Sequence, residues 1–292
     1  MAIRVTHGWQ VQSNIQRLTS SRSNIAQLQE QAYSGKKLER ASDGAQYWNM
    51  VETLSSNQRD QGQYTENSSR AQSILSIADN TLGSVSNIIK RVKELAIGAS
   101  SETAVAEYHS AALTEIDSLK EQLVGFANQD YAGRYIFAGT AYDTPPYDAA
   151  GTYSGSTDEP SVQVSRQSQV LQGLDGSSVF NGSVDIFGMM DDLSAALGAE
   201  DADGVFDLID EVDASLDQVL MAQQRVGTNQ RRSEDLAEVA QQIDTTLQGL
   251  ISEKVDADPI AIYTQINAMQ STYEATLQIS AGAFQRSLFQ FL

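Results

Sequence analysis

The amino-acid sequence predicts a mainly α-helical protein, in which long antiparallel coiled-coil helices from both termini flank a small β insert in the middle. Two segments place apolar or small residues at alternating spacings of four and three, and the only stretch rich in glycine and proline lies between them. Such a spacing makes a narrow stripe that is satisfied by packing along another helix. The first segment has it at Ala71, Leu75, Ala78, Leu82, Val85, Ile89, Val92 and Ala96, and the second, more loosely, at Ile262, Ile266, Met269, Tyr273, Leu277, Ser280, Phe284, Leu288 and Phe291.

The first helix is predicted over about residues 6–33. Gly35 follows it and favours a left-handed C-cap. Residues 38–44 are predicted to be a loop, in which we expect Ser42 or Asp43 to cap the next helix by accepting its free N–H groups. The apolar stripe of the first helix consists of Val11, Ile15, Leu18, Ile25 and Leu28.

The second helix is predicted to continue to about Gly98. At 1.5 Å per residue, some fifty residues make about 80 Å of helix. Helices of this length are more typical of a fibre subunit than of a globular domain. A third helix is predicted over about residues 103–128, because apolar residues there return to one face.

Residues 135–183 are predicted to form a small β insert, because the period of the sequence changes there. Alternation of polar and apolar residues is typical of a half-buried strand, and Pro-Pro and Asp-Gly pairs favour turns. Strands are expected at residues 135–140, 161–165 and 170–174, with turns at residues 144–147 and 175–176.

Helices are predicted again from about Val184, with a short one first and a long one after Gly204. Asp258 as N-cap and Pro259 as first helical residue are typical of a helix start, so a separate terminal helix is expected there. The predicted domains are therefore a terminal coiled-coil domain (residues 1–42 with 256–292), a long helical bundle (residues 43–134 with 184–255) and the β insert (residues 135–183).

Composition excludes several classes of function. The formal net charge is -19, and phosphate binding needs clustered Lys and Arg, so neither nucleic acid nor an anionic membrane is an expected partner. The chain has no Cys and two histidines far apart in sequence, which argues against a thiolate or transition-metal site. No apolar run approaches the length of a membrane span. The first ten residues lack the features of a cleaved secretory signal, so we expect the protein to stay inside the cell or to leave uncleaved.

Motifs of catalysis and cofactor binding are absent from the sequence. Residues 201–204 (DADG) resemble part of a calcium loop but lack its later ligands, so we interpret them as a helix start. Tyr131, Arg134, Tyr135 and Phe137 are interpreted as packing at the junction of helix and sheet. No residue is therefore predicted to be catalytic, to bind a cofactor or to hold a metal.

Short motifs along the chain, among them SGKKL (residues 34–38), ASDG (41–44) and GRYIFAGT (133–140), resemble the flagellin superfamily, and most closely the bacterial flagellar hook–filament junction proteins of the FlgL type. Residues 34–38 (SGKKL) and 41–44 (ASDG) are similar to that family's SGKR…PSDDP segment, although Gly44 replaces the second Asp and no Pro follows. The resemblance covers nearly the whole chain. Its other carriers are residues 78–82 (ADNTL), 91–96 (RVKELA), 133–140 (GRYIFAGT), 144–147 (TPPY), 273–277 (YEATL) and 287–292 (SLFQFL).

This resemblance implies a ring of subunits between hook and filament, with the terminal helices innermost and the β insert outward. It also implies export, unfolded and uncleaved, through the flagellar type III system with a cytoplasmic chaperone, and a final extracellular location at the junction. The implied neighbours are the other junction protein and flagellin.

We therefore expect a non-enzymatic structural adaptor that assembles by burying heptad faces between subunits. A short flagellin that forms the filament itself, or a surface adhesin or glycan-binding module that uses the β insert, are the alternatives. We expect both terminal helices to be poorly ordered alone and helical in the assembly, because short isolated seams are marginal in water. The expected assembly residues are Val11, Ile15, Leu18, Ile25 and Leu28 with Ile266, Met269, Tyr273, Leu277, Phe284, Leu288 and Phe291.

Overall fold

The computed structural model describes residues 7–101 and 105–289, and the side chains considered below are those of residues 9, 12–101 and 105–282. Within these residues the chain forms eight α-helices and four short β-strands. The chain divides into two compact units. The terminal unit consists of residues 1–58 with 245–292, and the central unit consists of residues 59–244.

The helices confirm the predicted fold class. Their bounds are α1 (His7–Ser34), α2 (Ala45–Ala99), α3 (Ala106–Ala127), α4 (Gly176–Phe180), α5 (Ile186–Gly198), α6 (Ala202–Asp207), α7 (Ile209–Val255) and α8 (Pro259–Phe289), with a 3-10 turn at Ala41–Asp43.

The core of the molecule lies in the central unit, where long helices pack along one another. The eight heptad residues from Ala71 to Ala96 are all buried, as their spacing predicts. Lys93 Nζ lies 2.5 Å from the carboxylate of Asp213, and Ser233 Oγ donates to the carbonyl of Ser68. These two contacts fix α2 and α7 as antiparallel neighbours within this unit. Lys120–Asp191 and Ser194–Asp117 contacts do the same for α3 and α5.

The β insert is built of two antiparallel hairpins rather than one sheet. Strand β1 (Asp130–Tyr131) pairs with β2 (Arg134–Tyr135), and β3 (Ser161–Gln163) pairs with β4 (Gln169–Leu171) with Val162 opposite Val170. The predicted strand over residues 135–140 was wrong beyond Tyr135. Ile136 and Phe137 are buried in the core instead, where Phe137 meets the edge of Phe180 at 5.3 Å between ring centroids.

The structure differs from the prediction at the start of three helices. Asp43 does not cap α2, because its carboxylate accepts from the N–H groups of Glu39 and Arg40, and these bonds lower its pKa. Asp175 is not in a turn but caps α4 by accepting from Ser177 N. The long helix after Gly204 is interrupted at Leu208, which separates α6 from α7.

Two predicted helix ends are confirmed. Gly35 has φ +71°, the left-handed conformation that ends α1. Asp258 Oδ1 accepts from Ile260 N at 2.9 Å and from Ala261 N at 3.3 Å, so it caps α8 above Pro259.

Candidate assembly surface

Helices α1 and α8 pack against each other within the terminal unit, and their contact is a heptad seam. The pair is antiparallel, because the end of α1 adjoins the start of α8 through a bridge between Lys36 and Asp256. The side chains that are at least half-removed from solvent recur at alternating spacings of four and three on both helices. This seam consists of Asn14, Leu18, Ser21, Ile25, Leu28 and Ala32 on α1, and of Ile262, Ile266, Met269, Tyr273, Thr276 and Ser280 on α8; Ser13 and Gln31, next to it on α1, are also partly buried.

The residues predicted for assembly divide into three groups in this arrangement. Most of them lie in the seam: Leu18, Ile25 and Leu28 on α1, and Ile266, Met269 and Tyr273 on α8. Ile15 and Leu277 lie outside it, with 50% and 43% of their surface exposed. The side chains of Val11, Phe284, Leu288 and Phe291 fall outside the described residues.

The seam leaves much apolar surface of the terminal unit in contact with solvent. Of the described side chains in this unit, the buried hydrophobic ones are Leu38, Ile262 and Ile266. An apolar side chain gains free energy only when it leaves water, so this unit has little core of its own. Its exposed large hydrophobic side chains are Trp9, Ile15, Tyr33, Tyr47, Met50, Leu250, Ile260, Tyr263, Leu277 and Ile279.

Part of the exposed surface of α8 is a row of residues beside the seam. Tyr263, Gln270 and Leu277 are seven residues apart, and in the heptad register of α8 they occupy the position beside the seam. Ile260 lies one turn before Tyr263 and is also exposed. The heptad predicted from the sequence includes Leu277, whereas the structure has Thr276 at that seam position and Leu277 beside it. We refer to Tyr263, Gln270 and Leu277 as the flank row.

Charge is divided between the two units as sharply as burial is. The terminal unit has eight basic and eight acidic side chains, so its formal net charge is zero. The central unit therefore carries the whole net charge of -19. Close approach of several copies meets no net Coulomb repulsion between neutral units, whereas like-charged units repel one another. The terminal unit is thus the one that suits close packing of copies.

Aromatic and charged side chains at the β insert are engaged in packing and hydrogen bonds. The cavity beside Tyr131, Arg134 and Tyr142 encloses about 30 Å³, which is room for roughly one water molecule. The Arg134 guanidinium stacks 3.5 Å from the centre of the Tyr142 ring, so its charge is already engaged. Burial raises the pKa of the Tyr147 and Tyr153 hydroxyls, which are hydrogen-bonded within the insert.

The other sequence features considered for chemistry have structural roles. Asp201 caps α6 by accepting from Gly204 N, as the helix-start interpretation of that segment predicts. Among the described residues there is no group of three or more His, Cys, Asp or Glu that could hold a metal ion. The same residues include no helix with the length and apolar character of a membrane span.

Comparison with known proteins agrees with this arrangement. Residues 7–142 match the family model of the bacterial flagellin N-terminal helical region. The flagellar hook-associated protein 3 of Escherichia coli is 26% identical over 96% of both chains.

Two solved structures share the fold. A putative flagellar hook-associated protein from Vibrio parahaemolyticus has a TM-score of 0.64 at 19% identity, and covers 73% of this chain and 100% of its own. FlgL of Bacillus cereus has a TM-score of 0.59 at 21% identity, and covers 70% of this chain and 100% of its own.

Proposed function

We propose that this chain, which belongs to the flagellin superfamily and is of the hook-associated type, is a structural adaptor subunit that joins the hook of the bacterial flagellum to its filament. One observation carries the proposal: the terminal unit exposes ten large hydrophobic side chains and buries three among its described residues. With so few apolar side chains buried inside the unit, packing against another subunit is what would remove the exposed ones from water. In a flagellar subunit this exposed surface is the one that meets neighbouring subunits.

Assembly follows from burial of helix faces rather than from a chemical step. The α1–α8 pair of one copy has exposed apolar side chains on both helices, so each copy offers two faces to its neighbours. Fully burying one aliphatic or aromatic side chain contributes about 1.5–3 kcal/mol. Several such side chains per copy, multiplied around a closed set of copies, stabilise an assembly from surfaces that are individually weak.

The parts of the chain have different tasks in this proposal. The terminal coiled-coil domain (residues 1–42 with 256–292) forms the inner wall of a homo-oligomeric ring. The helical bundle (residues 43–134 with 184–255) surrounds it, and the β insert (residues 135–183) faces outward. The acidic central unit suits the outer position, because solvent and counterions screen its charge there.

Partners and route follow from the same role. The axial neighbours of the ring are the other hook–filament junction protein and flagellin. The subunit reaches its place through the type III export apparatus, held by a cytoplasmic chaperone, and its final location is outside the cell on the flagellum. The function needs no catalysis, cofactor or metal. Neither a short flagellin nor an adhesin is favoured, because the match to a hook-associated protein spans 96% of both chains.

Deletion of the gene tests the proposal. Cells without it are expected to keep their hooks, to lose swimming motility and to shed flagellin into the medium, since filaments have no base on which to grow. Immunoblots of flagellin in medium and cell fractions, with electron microscopy of hooks, give the readout. A plasmid copy of the gene is the control. Filaments that stay attached to the hooks of deletion cells would contradict the proposal.

A further inference from the structure

Backbone hydrogen bonds join two turns of the terminal unit. The N–H groups of Lys37 and Leu38 both donate to the carbonyl of Val255, at 2.7 Å and 3.4 Å. In the opposite direction the N–H of Ala257 donates to the carbonyl of Gly35 at 2.9 Å. We call residues 35–38 and 253–257 the clasp. It joins the turn that follows α1 to the turn that precedes α8.

Side chains reinforce the clasp on both sides. Lys37 Nζ donates to the carbonyl of Glu253 at 2.6 Å, and Ser252 Oγ donates to the Asp256 carboxylate at 2.5 Å. Leu38 is one of the few buried hydrophobic side chains of the terminal unit. The clasp is therefore held by both backbone and side-chain hydrogen bonds, although it lies outside α1 and α8.

The seam between α1 and α8 specifies its own register poorly. Asn14, Ser21 and Ala32 occupy seam positions on α1, and Thr276 and Ser280 do so on α8. Small residues such as Ser21, Ala32 and Ser280 interlock weakly, and a heptad pattern superimposes on itself after a shift of seven residues. Such a shift leaves the same faces in contact but moves the flank row by about 10 Å along the pair.

We propose that the clasp sets the register of the α1–α8 pair, and that Gly35, Lys37 and Leu38 are positioning residues for the assembly surface. Because the two helices run antiparallel from the Lys36–Asp256 bridge, each residue of α1 lies beside one particular residue of α8. The clasp thereby fixes the height at which the flank row and Ile15 are presented. The role of this register in assembly rests on the proposed function, whereas the register itself can be measured in the single chain.

Substitution of Gly35 is the most specific way to weaken the clasp. Its φ of +71° is strained for any residue with a Cβ, although a Cβ built there meets no atom within 4 Å. Gly35→Ala therefore disfavours the backbone of the clasp without a steric clash. Gly249→Ala is the matched control, because Gly249 lies in α7 of the same unit, has no positive φ and also has open space at its Cβ position.

Cross-linking between two introduced cysteines measures the register directly. The chain has no Cys of its own, so no other thiol reacts. Ser20 and Thr272 line the same groove between α1 and α8, so Ser20→Cys with Thr272→Cys reports the native register. Ser20→Cys with Ile279→Cys reports a shift of one heptad. Both pairs are placed in the purified full chain with the native clasp, with Gly35→Ala and with Gly249→Ala, and are treated with a short bismaleimide.

With the native clasp and with Gly249→Ala, we expect the 20–272 pair to cross-link and the 20–279 pair to remain largely open. With Gly35→Ala the ratio of the two yields is expected to fall about tenfold, the change in equilibrium that left-handed strain at one residue produces. Leu38→Ala is expected to act in the same direction, and a chain with both changes to act more strongly.

Two results overturn the proposal. One is an unchanged ratio in Gly35→Ala and in Leu38→Ala, and the other is no 20–272 cross-link with the native clasp. The proposed function fails separately, since it is read in deletion cells by filament attachment. Attached filaments in deletion cells, with a register that still depends on Gly35, would refute the adaptor role alone.

Discussion

The role of the terminal unit can be tested by removing equal apolar area from two places. Ile15 and Leu277 in the terminal unit are 50% and 43% exposed, and Ile97 and Leu220 in the central unit are 51% and 42% exposed. The double variant Ile15→Ala with Leu277→Ala and the double variant Ile97→Ala with Leu220→Ala therefore remove the same side-chain types at the same exposure. Only the first pair lies on the candidate assembly surface.

The size of the effect follows from these exposed fractions. Full burial of an Ile or Leu side chain contributes about 1.5–3 kcal/mol. About half of each side chain still contacts water, so assembly gains roughly 0.7–1.5 kcal/mol per residue and roughly 1.5–3 kcal/mol for the pair. A loss of that size weakens the association of one copy by about 10- to 100-fold.

Complementation of deletion cells is the assay. The terminal pair is expected to release flagellin into the medium, whereas the central pair is expected to retain it on the cell. Thermal unfolding of both purified proteins shows whether each pair lowers the stability of the isolated chain to a similar extent. The reasoning is refuted if the central pair sheds as much flagellin as the terminal pair, or if the terminal pair sheds none.

Three further predictions concern the isolated chain. In hydrogen exchange, amides of α1 and α8 are expected to exchange at least tenfold faster than those of Ala71–Ala96, because the terminal unit has little core, and equal protection would contradict this. Leu82→Ala, at a fully buried position, is expected to lower the free energy of unfolding by about 2–5 kcal/mol in urea titrations, against less than about 1 kcal/mol for the exposed Leu220→Ala. Hydrogen bonds from Arg91 lower the pKa of Glu115 below its usual 4.5, so their stabilisation is complete above that pH and is lost as pH falls through the lowered value. Urea midpoints of the wild type and of Glu115→Gln are therefore expected to differ above pH 4.5 and to converge as pH falls from there through the lowered pKa, and a constant difference would contradict this.

The helices were predictable from the sequence because their spacing and their ends are local properties. The stripe from Ala71 to Ala96 needs a partner helix. The pair Asp258–Pro259 is a local signal for the start of a helix. The β insert was less predictable, since Ile136 and Phe137 are buried in the core and their backbone pairs only briefly with residues 174–176, too briefly to extend a strand. Asp43 shows the same limit: its carboxylate could reach N–H groups on either side, and the turn before it provided them.

The candidate site was predictable in outline but not in register. A loose heptad at residues 262–291 accommodates both Thr276 and Leu277, and the packing of α8 on α1 places the less apolar residue in the seam. The clasp had no sequence pattern beyond Gly35, because backbone hydrogen bonds between residues 35–38 and 255–257 depend on a fold that brings distant turns together. Long-range pairing of this kind leaves no periodic pattern in the sequence.

The division of charge opposes random association of a subunit that exposes so much apolar surface. Two copies that meet at random bring acidic central units together, and their repulsion acts over about 8 Å at physiological salt. Contact between neutral terminal units, by contrast, meets no such barrier and buries apolar side chains. Productive encounters are therefore those in which terminal units approach first and the central units stay apart. The ring that we propose meets that condition through contacts between the neutral terminal units of neighbouring copies.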